Sequence, residues 1–141
     1  MKLLVINGPN LNFIGIREKQ IYGEKSYKDL VKYIKDISKE NNLKVKIFQS
    51  NHEGELIDCI QSAYNKFDGI IINPGAYTHY SYAIYDALKS VNIKTVEVHL
   101  SDIKAREDFR KVSVISPACV KSFMGKNFES YKEAIKYFVG E

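Results

Sequence analysis

A chain of 141 residues, 45% apolar and 27% charged, has the size and balance of a soluble globular protein with a core of its own. Its net charge of +4 comes from lysines scattered along helical patterns, not from a block, which points to solvated helix faces and away from a nucleic-acid surface. An anionic small substrate fits that charge without being demanded by it. The N-terminal MKLLVINGPN has too short an apolar stretch for a signal peptide, and no run approaches transmembrane length. Cys59 and Cys119 form no CxxC pair, and Cys59 falls inside a helical apolar pattern, so it is expected as a reduced core residue. The expected compartment is the cytoplasm, with neither membrane nor nucleic acid as a partner.

Residues 2–7 form a continuous aliphatic run ended by Gly8-Pro9, a buried strand. The connection that follows, NGPNLNFIGIREKQIYG over residues 7–23, is longer than strand-to-helix loops usually are. Leu11, Phe13, Ile14, Ile16 and Ile21 are expected to anchor it, and with Arg17 and Tyr22 aboard it has the make-up of a closing lid. Ser26 and Asp29 make a capping box for a first helix, whose apolar face is Tyr27, Leu30, Val31, Ile34 and Ile37. LKVKIFQ alternates as a second strand over residues 43–49, and a helix begins near Glu53 with a stripe running from Leu56 to Phe67. A third strand covers 69–72. A third helix follows AYTHYS, with Ile84, Ala87, Leu88 and Val91 inward. A fourth strand covers 95–98, and the aliphatic run Val112–Ile115 reads as the fifth. Residues 116–127 read as irregular, ahead of a last helix with Phe128, Tyr131, Ile135 and Phe138 at helical spacing. Strands alternating with helices imply a three-layer α/β fold, flavodoxin-like, with a five-stranded parallel sheet of order 2-1-3-4-5 and helices on both faces.

In such sheets ligands bind outside the carboxyl ends of the strands. Those ends read Asn7-Gly8-Pro9-Asn10, Asn51-His52, Asn73-Pro74-Gly75 and His99-Leu100-Ser101, and every histidine of the chain falls at or just after one of them. A metal site from His52, His79 and His99 lacks any metal-binding spacing. Walker, GxGxxG and nucleophile-elbow motifs are missing, as is the acidic pocket of a receiver domain. What remains is acid–base chemistry on a polar, non-phosphorylated ligand. A tyrosine has a pKa near ~10, so as a base at neutral pH it needs a cation beside it. Arg17, five residues before Tyr22, supplies one.

Four blocks, NGPNLNFIGIRE with IYG, QSNHEGELID, INPGAYTHYSYAIYDAL and EVHLSDIKAREDFR, resemble the type II 3-dehydroquinate dehydratases (type II dehydroquinases) in order along nearly the whole chain. The resemblance implies a cofactor-free hydro-lyase of the shikimate pathway, on the route to chorismate and the aromatic amino acids. It would remove water from 3-dehydroquinate by anti elimination through an enolate. By that resemblance Tyr22 is the base, Arg17 stabilises its tyrosinate, and His99 is the general acid, oriented by Glu97. Asn10 positions the water that serves the enolate. Asn73, His79, Leu100, Ser101 and Arg110 bind the substrate, Arg106 closes over the site, and Asp86 reaches it from a neighbouring subunit. The whole chain, 1–141, would be one catalytic domain with a lid at about 12–25. The family forms dodecamers, tetramers of trimers, and Tyr82 and Tyr85 are spaced for a subunit contact. Lys19 stands where the family's lid usually has proline, which removes a backbone restraint. Tyr80 and Tyr82 are bulkier than is usual for that motif. SPACVKSFMGKN is a weak match and receives no role.

Read singly, these residues have blander meanings. Tyr22 is a turn tyrosine, Arg17 a solvated loop charge, His99 a satisfied strand-end histidine and Asp86 an exposed helix charge. Inside the matched blocks the functional meaning takes precedence, while His52 stays open between a helix cap and a site residue. Two other classes stand beside the dehydratase. A flavin- or nucleotide-binding module would be purified with its cofactor. A catalytically dead interaction domain would have no use for the Arg-Tyr-His set.

Overall fold

The structure is a computed structural model that describes residues 1–16 and 25–140. Five strands, β1 (Lys2–Asn7), β2 (Lys44–Gln49), β3 (Gly69–Asn73), β4 (Thr95–His99) and β5 (Lys121–Met124), pair in parallel in the order β2-β1-β3-β4-β5. This is the flavodoxin-like order expected. Four helices, α1 (Tyr27–Glu40), α2 (Glu53–Ser62), α3 (Tyr82–Val91) and α4 (Glu129–Phe138), cover it among the described residues.

The period of two along each strand sorts the core into halves. Leu3 and Val5 of β1, Ile71 of β3 and Val96 and Val98 of β4 face α1 and α4. Leu4, Ile6, Ile70 and Ile72 face α2 and α3. The helix starts follow from their caps. Ser26 Oγ accepts the Asp29 N–H at 3.2 Å while Asp29 Oδ2 accepts the Ser26 N–H at 2.9 Å, closing the capping box. Ser81 Oγ accepts the Ile84 N–H at 3.0 Å, and its hydroxyl donates to Glu53 at 2.5 Å, which ties α3 to the first residue of α2. The four expected core residues of α3 are all buried.

Three expectations need correction. The fifth strand is Lys121–Met124, not Val112–Ile115. In the aliphatic run Ile115 is buried in the core and Val114 packs partly against it, Val112 is exposed, and the Val114 N–H donates to the Thr78 carbonyl at 2.8 Å. The true strand is a half-wet edge strand, so its apolar signal is diluted by Lys121 and Ser122. Second, α2 stops at Ser62; Tyr64 is exposed and Phe67 packs from the turn beyond. Third, of the loop anchors Leu11 and Ile14 are buried while Phe13 and Ile16 are exposed, and Ile21 lies outside the described residues.

The register sets Asn7 level with Gln49 on one side and Asn73 on the other, so the strand ends form one edge. Just beyond it the chain crosses itself closely. A Cβ on Gly8 would lie 2.5 Å from the Pro74 carbonyl oxygen, and the Gly8 N–H donates to the Asn73 carbonyl at 2.8 Å. Gly8→Ala should therefore destabilise by about 1–3 kcal/mol, the usual cost of overpacking against backbone. Gly54 in α2 has nothing within 4 Å of an added Cβ, so Gly54→Ala should be neutral or stabilising. Thermal melting of both variants checks this, and equal losses would contradict it.

Candidate active site

The strand ends open into a cavity lined by Asn10, Asn73, His79, His99, Leu100, Ser101, Arg106 and Arg110, together with Pro9, Gly75 and Ile103. It sits where the sheet topology predicts, outside the carboxyl edge near the junction of β1 and β3.

His99 ends β4 and is 5% exposed, with its Nε2 2.6 Å from Glu97 Oε2. Both side chains lie on the face of β4 opposite Val96 and Val98, as a spacing of two demands. Glu97 is completely buried. Its carboxylate also accepts the hydroxyls of Thr78 (2.5 Å), Ser116 (2.7 Å) and Ser113 (3.0 Å). Burial alone would raise the Glu97 pKa. The hydrogen bond and charge of His99, with the Thr78 and Ser116 hydroxyls, outweigh burial and hold the carboxyl below its ordinary value.

His79 follows β3 in a 3-10 turn, Gly75–His79. Its Nδ1 lies 2.8 Å from the Val112 carbonyl oxygen, which can only accept, so Nδ1 carries the proton. Burial pushes its pKa down; the Val112 hydrogen bond works the other way, and the positive charges of His99 and Arg110 push it down further. A neutral His79 therefore offers Nε2 as an acceptor to the cavity.

Asn73 is fixed from below. Its Nδ2 donates to the Tyr131 hydroxyl at 3.0 Å, and its Oδ1 accepts the Gly75 N–H at 3.2 Å. Tyr131, fully buried in α4, donates in turn to Asn7 Oδ1 at 2.5 Å, and Asn7 Nδ2 donates to the Tyr27 hydroxyl at 3.3 Å. Asn10 is held in the left-handed region at φ 69°, a conformation asparagine tolerates, with its N–H on Asn51 Oδ1 at 2.9 Å. Arg110 forms a 2.7 Å pair with the exposed Glu107 and stacks over Phe109, and Arg106 lines the same side of the cavity. Such an exposed pair contributes little to stability and leaves the guanidinium beside the cavity.

The structure thus brings together Asn10, Asn73, His79, His99, Leu100, Ser101, Arg106 and Arg110, with Glu97 directly behind His99. Arg17 and Tyr22 lie outside the described residues, as does Lys19. Asp86 is exposed on α3 and does not line this chain's cavity. His52 stands at the cap position of α2 without a side-chain cap bond, and it too is outside the cavity. Sequence reasoning gave no role to Thr78, Ser113, Ser116 or Tyr131, and placed Asn7 only among the strand-end residues. A Ser-x-x-Ser pair five to eight residues ahead of an edge strand is a weak signal, and a tyrosine on an apolar helix stripe reads as plain core.

A family model described as Dehydroquinase class II matches residues 1–139. A 3-dehydroquinate dehydratase of Clostridium acetobutylicum is 61% identical over 131 residues, covering 93% of this chain and 91% of its own. The crystal structure of a type II dehydroquinase from Butyrivibrio crossotus superposes with a TM-score of 0.97 at 55% identity, over 99% of this chain and 98% of that one. One from Propionibacterium acnes gives a TM-score of 0.95 at 36% identity, over 99% and 97% of the two chains.

Removing the Tyr131 hydroxyl would strand the buried amides of Asn7 and Asn73. Tyr131→Phe should cost about 1–3 kcal/mol of stability, the penalty for buried polar groups left unpaired. Denaturant unfolding measures it, and a stability equal to the parent's would mean that the network is not fixing Asn73.

Proposed function

Since the chain belongs to the class II dehydroquinase family, we propose that it is a 3-dehydroquinate dehydratase that uses the cavity at the strand ends. The observation that carries this reading is the buried His99–Glu97 pair facing a cavity with Asn73, His79, Arg106 and Arg110, in a chain that matches the family from residue 1 to 139. The chain acts as one catalytic domain, with residues about 12–25 as the lid. Tyr22, as the tyrosinate stabilised by Arg17, removes a C2 proton of 3-dehydroquinate and leaves an enolate, whose water Asn10 positions. The enolate expels the C1 hydroxyl in the anti sense, and His99 gives it a proton, so that water and 3-dehydroshikimate result.

The cavity chemistry suits these parts. His99 has Nε2 committed to Glu97, leaving Nδ1 for the leaving hydroxyl. Neutral His79 accepts from a substrate hydroxyl through Nε2. Asn73, with one N–H on Tyr131, has another to give, and Leu100 and Ser101 continue that wall. Arg110 takes the carboxylate, and Arg106 closes over it. Asp86 reaches the site of a neighbouring subunit in a dodecamer, a tetramer of trimers. The exposed Tyr82 and half-buried Tyr85 on the same helix fit such a contact. The enzyme works without a cofactor, in the cytoplasm, within the shikimate pathway. A flavin- or nucleotide-binding module is not favoured, because the family match is near complete and the cavity wall is built of asparagine, histidine and arginine.

Adding 3-dehydroquinate to the pure protein should produce enone absorbance, and a folded, oligomeric sample with no turnover would refute the assignment. Tyr22→Phe should lower kcat roughly 10²–10⁴-fold, the usual worth of one acid–base group. His99→Ala should lower kcat more than it raises KM; a pure KM effect would contradict its role as acid.

A further inference from the structure

We propose that Ser113 and Ser116, together with Thr78, are positioning residues of this reaction: their hydroxyls fill the acceptor sites of Glu97 that His99 leaves open, and so fix the His99 ring with Nε2–H on the carboxylate and Nδ1 toward the cavity. The kinetic part of this inference rests on the dehydratase reading; the structural part does not.

A carboxylate has about four lone-pair sites, two on each oxygen. Oε2 of Glu97 takes His99 Nε2 at 2.6 Å and Thr78 Oγ1 at 2.5 Å. Oε1 takes Ser116 Oγ at 2.7 Å, and Ser113 Oγ lies 3.0 Å from both Oε1 and Oε2. The Ser113 oxygen accepts the N–H groups of Ile115 (3.2 Å) and Ser116 (3.0 Å), which leaves its hydrogen to the carboxylate and to Thr78 Oγ1, 2.9 Å away. With Thr78 and Ser116 donating to it and Ser113 against both its oxygens, Glu97 is held as the anion, and the histidine nitrogen it faces is the protonated one. A two-donor carboxylate at the same depth would leave that proton's position open.

The serines are held in place by the run that reads as a strand in the sequence. α2 and α3 cover the β1 and β3 side of this sheet face, whereas Val114, Ile115, Ala118 and Cys119 pack into the same core from the crossover between β4 and β5. That crossover carries no α-helix; it consists of 3-10 turns and extended backbone. The Val114 N–H donates to the Thr78 carbonyl at 2.8 Å, and the Val112 carbonyl accepts His79 Nδ1 at 2.8 Å. Residues 112–116 therefore touch His79 directly and His99 through Glu97. One short segment sets the proton position of both cavity histidines.

The consequence has a definite sign. Taking away hydroxyls that stabilise the carboxylate anion makes the Glu97–His99 pair bind its next proton more tightly. The pair then gives up that proton less readily to the leaving hydroxyl. The other ionisable groups that face the pair are His79, Arg106 and Arg110 from the cavity and the Cys119 thiol from behind, whose pKa burial raises. All four remain in the variants described next.

The test compares the parent with Ser113→Ala/Ser116→Ala, Ser116→Ala and Ser116→Thr, each labelled at histidine Cε1 and followed by NMR against pH. The chain has three histidines, and His52→Gln and His79→Gln variants assign the signals. In the double variant the midpoint of the Glu97–His99 pair, followed at the His99 signal, should rise by about one pH unit, a tenfold gain in proton affinity, and by part of that in Ser116→Ala. Ser116→Thr keeps a hydroxyl and should titrate with the parent. Turnover of the double variant should fall roughly 10–100-fold with KM little changed, as expected for a misplaced catalytic group. An unmoved His99 midpoint in the alanine variants overturns the inference, as does a threonine variant that behaves like alanine. If the double variant does not fold, Ser116→Ala against Ser116→Thr decides alone. A parent without dehydratase turnover would refute the proposed function, while the titration, which needs no substrate, would still judge the hydroxyls.

Discussion

The site depends on keeping one carboxylate charged where no water reaches it. Glu97 has no exposed surface, and an ion taken out of water at that depth is strongly disfavoured unless its hydrogen bonds are replaced. Here they are replaced in full, by one imidazole and three hydroxyls. The low dielectric that makes burial costly also strengthens each of these bonds. Such an arrangement is stiff, and stiffness suits the acid role proposed for His99, which must meet a leaving group at a fixed place.

The fold supplies that arrangement from parts far apart in sequence. β4 contributes Glu97 and His99 on one face, the turn after β3 contributes Thr78, and the crossover before β5 contributes Ser113 and Ser116. A second buried network does the same for the amide side of the cavity. It links Tyr27 of α1, Asn7 of β1, Tyr131 of α4 and Asn73 of β3. Parallel strands in register bring these ends level, and the absence of a Cβ at Gly8 lets the loops after β1 and β3 cross. The core packing and the site geometry therefore share side chains, so damage to Tyr131 acts on both.

Much of this was legible in the residues. Aliphatic runs ended by Gly-Pro, Asn-Pro-Gly and His-Leu-Ser marked three strand ends, and the Ser26–Asp29 pair marked the start of α1. The clustering of asparagine and histidine at those ends marks the cavity edge without any family resemblance. The fifth strand was not legible, because period and composition favour Val112–Ile115 over an edge strand carrying Lys121 and Ser122. The difference is tertiary: Ser113 of that run and Ser116 just after it hydrogen-bond the buried Glu97 carboxylate, while Lys121–Met124 pairs with β4. Hydroxyls that serve a neighbour's charge leave no periodic trace, and neither does a tyrosine whose ring is core and whose oxygen is wiring.

The central claim is that this cavity removes water from 3-dehydroquinate in the anti sense, with the base and the acid on opposite sides of the substrate. Its most direct test is turnover of 3-dehydroquinate carrying deuterium only at the C2 position anti to the C1 hydroxyl, with the product analysed by mass spectrometry. Loss of the label from 3-dehydroshikimate is the predicted result. Product that keeps the label, having lost the syn hydrogen instead, would contradict it.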